Sequence, residues 1–218
     1  MTTLMPRVLS ALDRFHAARP WDHNAHYHRW MLRQLPERFG NALDVGCGSG
    51  DLVRLLAVRA GSVRGLDADP TIIARARELT DSATAVTYQV GDAPEGMPQG
   101  PYDVITCVAT LHHLPFTETL TRFRDCLTPG GTLVIVGVAR SQTLGDQLLG
   151  TVSAVLNVAM ALLKNRGHGA ARPIAMTARV RPADMSFPDI TREAHRLLPG
   201  ARLRRRLFWR YTLVWHKS

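Results

Sequence analysis

Residues 42–52 read Ala-Leu-Asp-Val-Gly-Cys-Gly-Ser-Gly-Asp-Leu. An apolar run carries an aspartate at its end, and the chain then passes through three glycines spaced by single residues. A sharp strand-to-helix turn needs one such bare position, and close approach of a ligand to the backbone needs another. Tight packing of the helix against the strand needs a third. Two ligands suit such a turn: a phosphate group, or a cofactor with a cationic amino-acid tail. The dinucleotide fingerprint GxGxxG/A requires Gly or Ala where this chain has Asp51. An acid there opposes the anion that a helix N-terminus would otherwise attract. The nucleotide-triphosphate loop also fails, because no GK[ST] follows.

Outward from the turn, further acids follow apolar runs. Asp44 ends the first run, Asp67 ends Val63–Asp67, and Asp92 follows Val86–Val90. Strand-like runs at 42–45, 63–66, 86–90, 104–107 and 132–136 alternate with helical patterns at 51–60, 70–79 and 117–127. This alternation predicts a parallel sheet with helices on both faces, whose strands deliver the acids to their carboxyl ends. Asp69-Pro70 reads as an N-cap followed by a first-turn proline, and Gly61 as a left-handed helix terminus. Asp67 suits a ribose diol, Asp92 an adenine amino group and Asp44 a ligand ammonium. Asp44 has a second reading, as an acceptor that merely orders the glycine loop. Carboxylates around a bare turn fit a cationic adenosyl ligand better than a pyrophosphate.

The segments LDVGCGSG, GLDADP, VGDAPEGMP, YDVITCVATLHHL and LTPGGTLVIVG, in that order and spacing, resemble the class I S-adenosylmethionine-dependent methyltransferases over about residues 40–137. The resemblance implies an α/β fold: a Rossmann-like, seven-stranded, mostly parallel sheet with helices on both faces and an antiparallel C-terminal strand. It implies that Gly46, Cys47, Gly48 and Gly50 cradle the methionine part of S-adenosyl-L-methionine, with Asp44 beside them. Asp67 and Ala68 are then assigned to the ribose, Asp92 and Ala93 to the adenine, and Cys107 and Val108 to the opposite wall. Methyl transfer demands an aligned nucleophile more than a fixed catalytic motif. His112 and His113, just after the fourth strand, are the catalytic candidates as general bases, with a structural role for at least one as the alternative.

The flanks complete a single-domain reading of 1–218. Residues 1–38 form an N-terminal helical lid, 39–138 the cofactor-binding core, 139–199 a helical acceptor-side insertion and 200–218 a terminal β-hairpin turning near Trp209. Residues 22–35 read as a helix in which His23 and Tyr27 share one face and Asn24 and His28 another; Tyr27 is the expected lid contact to the cofactor. Residues 144–163 are apolar on nearly every face, but Asp146, Gln147 and Asn157 interrupt them. The uninterrupted part is shorter than the roughly 20 residues of a membrane span. A buried or capping helix is expected there, with a membrane-surface or homodimer helix as the alternative.

Charge is uneven within the net +9. Residues 1–138 carry thirteen arginines against fourteen acids, and residues 139–218 carry fourteen basic residues against four acids. That excess, with an arginine-rich loop (Arg166, Arg172, Arg179, Arg181), suggests a partly apolar methyl acceptor bearing an anionic group. The expected activity is transfer of a methyl group to oxygen or nitrogen of a small molecule. A nucleic-acid acceptor, disfavoured by the absence of NPPY-like and Pro-Cys sequences, stays open through the basic C-terminal part. So does a non-catalytic adenosyl-binding or membrane-associated partner protein. Three scattered cysteines without ligand spacing predict reduced thiols, a cytoplasmic protein and no metal site. No signal peptide is discernible.

Overall fold

The computed structural model describes residues 22–164 and 182–218. Seven strands form one sheet: β1 (Phe39–Val45), β2 (Ala60–Asp67), β3 (Val86–Val90), β4 (Tyr102–Val108), β5 (Leu127–Val138), β6 (Arg202–Arg206) and β7 (Arg210–His216). Their order is β3-β2-β1-β4-β5-β7-β6. The first five pair in parallel, and β7 runs antiparallel to both β5 and β6. The expected mostly parallel seven-stranded sheet is therefore present. Winding proceeds from β1 outward to β3, then returns to the other side of β1 at β4. That reversal opens a crevice above the carboxyl ends of β1 and β4.

Period-two alternation sends side chains to two separate cores. Leu43, Val45, Ile105, Leu133 and Ile135 pack on one face, against Leu120 and Phe123 of α4 (Phe116–Cys126) and Ile190 and Ala194 of α6 (Phe187–Leu197). Ala42, Val104, Val134 and Val136 pack on the other. There they meet Met31 of α1 (His23–Leu32), Val53 and Leu56 of α2 (Asp51–Ala57), and Ile73 of α3 (Pro70–Glu78). Burial on both faces explains why these strands read as continuous apolar runs.

Caps follow the sequence in part. Asp69 accepts hydrogen bonds from the backbone N–H of Thr71 and Ile72, and Asp22 caps α1 in the same way through Asn24 and Ala25. Gly61 departs from expectation. The helix stops at Ala57, and Gly61 lies inside β2 without a left-handed φ. A Cβ at Gly61 would stand 3.0 Å from the carbonyl oxygen of Gly40, so its bareness serves close approach of neighbouring strands.

The apolar 144–163 run forms α5 (Leu144–Lys164). Its inward positions include Ser153, whose Oγ accepts the Phe208 N–H at 2.9 Å, and Asn157, whose Oδ1 is 2.8 Å from His23 Nε2. Leu148 and Val155 are 69% and 67% exposed. α5 therefore covers the β6–β7 turn, where Phe208 and Trp209 both adopt φ 57°. Among the described residues no helix is long and apolar enough to cross a membrane. The arginines at 166, 172, 179 and 181 lie outside the described residues, as does the part of the expected N-terminal lid before residue 22.

Candidate active site

A cavity of about 390 Å³ lies at the switch point. Its floor is the turn after β1, including Gly46, Cys47, Gly48 and Ser49. Gly46, Gly48 and Gly50 have φ of 72°, 52° and 78°, the left-handed region open to glycine at little cost. At Gly46 a Cβ would collide with the side chain of Thr110, which follows β4 and donates to the Val108 carbonyl. At Gly48 a Cβ would meet nothing within 4 Å: it would project into the cavity itself.

Carboxylates ring this floor: Asp22, Asp44, Asp51, Asp67, Asp69 and Asp92 all line the cavity. Asp44 sits in the central strand between Gly65 of β2 and Thr106 of β4, and is 2% exposed. Thr106 Oγ1 donates to Asp44 Oδ1 at 2.7 Å. Burial pushes the Asp44 carboxyl up to about 7, against the Thr106 hydrogen bond and with help from the Asp67 charge. The loop-ordering role falls on Asp67. Its Oδ2 accepts the Gly48 N–H at 2.9 Å and its Oδ1 the Asp69 N–H at 3.1 Å. An ionised carboxylate has about four acceptor sites, so capacity remains on the cavity side.

The opposite wall comes from the end of β4 and the single 3₁₀ turn Leu111–His113, and includes Val108, Ala109, Thr110, His113 and Leu114. Ala109 has φ 50°, an uncommon conformation for a residue with a Cβ. The rings of His112 and His113 lie 3.9 Å apart. His113 lines the cavity and His112 does not. His112 Nδ1 is buried and meets no acceptor or donor among the described residues, and burial, then the neighbouring His113 and Arg210, lower its pKa to about 4. His112 is thus a neutral ring at physiological pH.

The third wall is α1, through Asn24 and His28 with Asp22 at its cap. Tyr27 does not reach the cavity: its hydroxyl donates to the Leu207 carbonyl at 2.7 Å, toward the β6–β7 turn. Of the two helix faces distinguishable in the sequence, the Asn24/His28 face points inward. Burial lowers the pKa of His28, against the charges of Asp22 and Asp51. Gly46, Cys47, Gly48, Asp44, Asp67, Ala68, Asp92 and Val108 come together here as the sequence suggests. Gly50, Ala93 and Cys107 stand behind the wall. Gly50 caps α2, and Ala93 and Cys107 are core residues. Burial raises the thiols of Cys47 and Cys107, leaving neither poised as a nucleophile. Ser49, Thr110 and Ile72 were not legible as wall residues. No group of His, Cys, Asp and Glu suited to a metal ion occurs among the described residues.

A methyltransferase domain model matches residues 42–131. An uncharacterised methyltransferase of Mycobacterium tuberculosis is 30% identical over 197 residues, 90% of this chain and 96% of that one. The chain belongs to the class I S-adenosylmethionine-dependent methyltransferases. It is also 36% identical to the ubiquinone biosynthesis O-methyltransferase of Sodalis glossinidius, over 58% of this chain and 56% of that protein. The solved complex of DhpI with SAH superposes with a TM-score of 0.61 at 19% identity, covering 95% of each chain.

For this methyltransferase the cavity fits its cofactor. A bare Gly48 edge offers backbone approach, and a ring of carboxylates complements a sulfonium and an ammonium. The buried Asp44 carboxyl, half-protonated near pH 7, is the kind of group that a bound cation stabilises in its charged form.

Proposed function

We propose that this methyltransferase acts on an oxygen or nitrogen of a small, partly apolar molecule in the cytoplasm. Bound in the cavity, S-adenosylmethionine supplies a methyl group on a sulfonium, already activated toward a nucleophile. Asp44 and the Gly46–Gly48 backbone hold the amino-acid end. Asp67 with Ala68 takes the ribose, and Asp92 takes the adenine edge. The protein's remaining task is to align the acceptor, exclude water and accept a proton where the acceptor carries one.

His113 faces the cavity and serves as the base. His112, neutral and packed against it at a tilt, positions the ring and keeps a second positive charge away. The observation that carries the small-molecule reading is α1, whose Asp22, Asn24 and His28 close one side of the cavity, leaving room for a compact acceptor rather than a polymer. The Sodalis relative, an O-methyltransferase by name, supports oxygen as the acceptor atom. Three free, buried cysteines support residence in a reducing compartment. In this reading residues 139–199 build the acceptor side and residues 1–38 the lid.

The test is transfer from methyl-labelled S-adenosylmethionine into an extract divided by ultrafiltration. Label in the low-mass fraction, as a base-labile ester or a stable ether or amine, is expected. Label confined to RNA, DNA or protein would overturn the proposal.

A further inference from the structure

We infer that a second, smaller pocket beside the cofactor cavity binds an anionic group of the methyl acceptor, a carboxylate or a phosphate. This rests on the small-molecule reading above and adds a substrate class to it. The pocket has a volume of about 50 Å³, room for one such group and not for a whole acceptor. It lies between the carboxyl end of β5, the first turns of α5 and the β6–β7 hairpin, with Arg140, Arg205, Arg206 and Arg210 in its lining and Asp146 as its one acid.

The charges do not cancel. Arg205 pairs with Asp146 at 2.6 Å. Arg140, Arg206 and Arg210 have no carboxylate partner among the described residues, which leaves the pocket with three positive charges in excess. Arg206 is held in place by Thr212, its Nε donating to Oγ1 at 3.2 Å, and by the Trp30 ring 5.2 Å from its guanidinium carbon. Arg210 donates through one Nη to the Phe208 carbonyl at 3.3 Å and through the other to Asn24 Oδ1 at 3.0 Å. Its Nε is buried and meets no acceptor among the described residues. A desolvated guanidinium with an unmet N–H is costly, and an anion supplies both the charge and the acceptor it lacks. Arginine's planar fork is suited to carboxylate and phosphate oxygens.

Position links this pocket to the chemistry. Asn24, bonded to Arg210, is part of the wall of the large cavity, and Arg210 acts electrostatically on His112, the ring packed against His113. The two cavities therefore share the Asn24–Arg210 partition. One is ringed by six carboxylates and the other by four arginines, three of them without a carboxylate partner among the described residues. A cationic cofactor and an anionic acceptor are thus sorted to opposite sides, with the acceptor's nucleophilic end directed past Asn24 toward His113.

The test uses the full chain. S-adenosylhomocysteine affinity is measured first by calorimetry, because failure there defeats the cofactor assignment rather than this inference. Methyl transfer into the low-mass extract is then followed with inorganic phosphate and succinate as probes. Expected results are labelled product retained on an anion exchanger, and inhibition by the probes competitive with acceptor but not with cofactor. Arg140→Gln, an exposed position unlike partly buried Arg210, should raise the acceptor KM roughly ten- to a hundredfold with S-adenosylhomocysteine affinity unchanged. Arg210→Lys should raise KM while keeping the charge. A product that carries no anionic group overturns the inference. So do an acceptor KM unmoved by both variants, and probe inhibition that persists in Arg140→Gln, the mark of an adventitious ion only.

Discussion

Asp44 makes the stability of the cofactor-free protein depend on pH in a way that can be worked out beforehand. Its carboxyl titrates near 3.8 in an unfolded chain and near 7 in the folded one, mainly because burial penalises the charged form. A raised folded pKa means that the group's contribution is fully present below about pH 4. It declines as pH rises and is lost above about 7. Three pKa units at 1.36 kcal/mol each give about 4 kcal/mol in total, of which roughly 3 kcal/mol falls between pH 5 and 8. Asp44→Asn removes the titration and keeps the shape and an acceptor for Thr106. The difference in unfolding free energy between wild type and Asp44→Asn, measured with urea at pH 5, 6, 7 and 8, should move against the wild type by about that amount. Cofactor binding should reverse the penalty. A bound ammonium favours the ionised carboxylate, so S-adenosylhomocysteine should release close to one proton at pH 6, about half at pH 7 and almost none at pH 8.5. Calorimetry in buffers of different ionisation enthalpy counts those protons. A difference curve flat with pH, together with binding enthalpies independent of buffer, would refute both the burial argument and the assigned role.

Asp67→Ala removes acceptors for Gly48 and Asp69 as well as the proposed ribose contact, so S-adenosylhomocysteine should bind at least about tenfold more weakly by calorimetry. His112 has its folded pKa depressed, so its neutral form favours the folded state and stability falls as pH drops from about 6.5 toward 4. His112→Phe should flatten that acid limb in thermal melts at pH 4.5 and 6.5. Tyr27→Phe leaves the Leu207 carbonyl without its hydroxyl donor, costing about 1 kcal/mol of unfolding free energy, with cofactor affinity unchanged. A loss of affinity there would restore Tyr27 to the lid.

Local rules made much of the site legible. A strand ending in Asp44, a turn requiring left-handed residues and acids at the next strand ends are consequences of backbone geometry, and they place a ligand without reference to packing. They fail where a side chain has two faces to choose from. Tyr27 and the Asn24/His28 pair are equally readable on one helix; packing of α1 against Leu207 and α5 selects which turns inward. Gly61 failed for a related reason. A glycine after a helix can serve chain reversal or close approach, and only the neighbouring strand at Gly40 decides.

The sequence by itself determined the parallel core, the acidic crevice and the class of cofactor, because periodicity, glycine conformation and charge act over a few residues. Tertiary structure decided the pKa of Asp44, which of the two histidines faces the cavity, and the arginine pocket. Arg140 and Arg210 stand seventy positions apart, and β5 meets β7 only through antiparallel pairing at the end of the chain. Burial and long-range juxtaposition are properties of the packed sheet, and no local pattern encodes them.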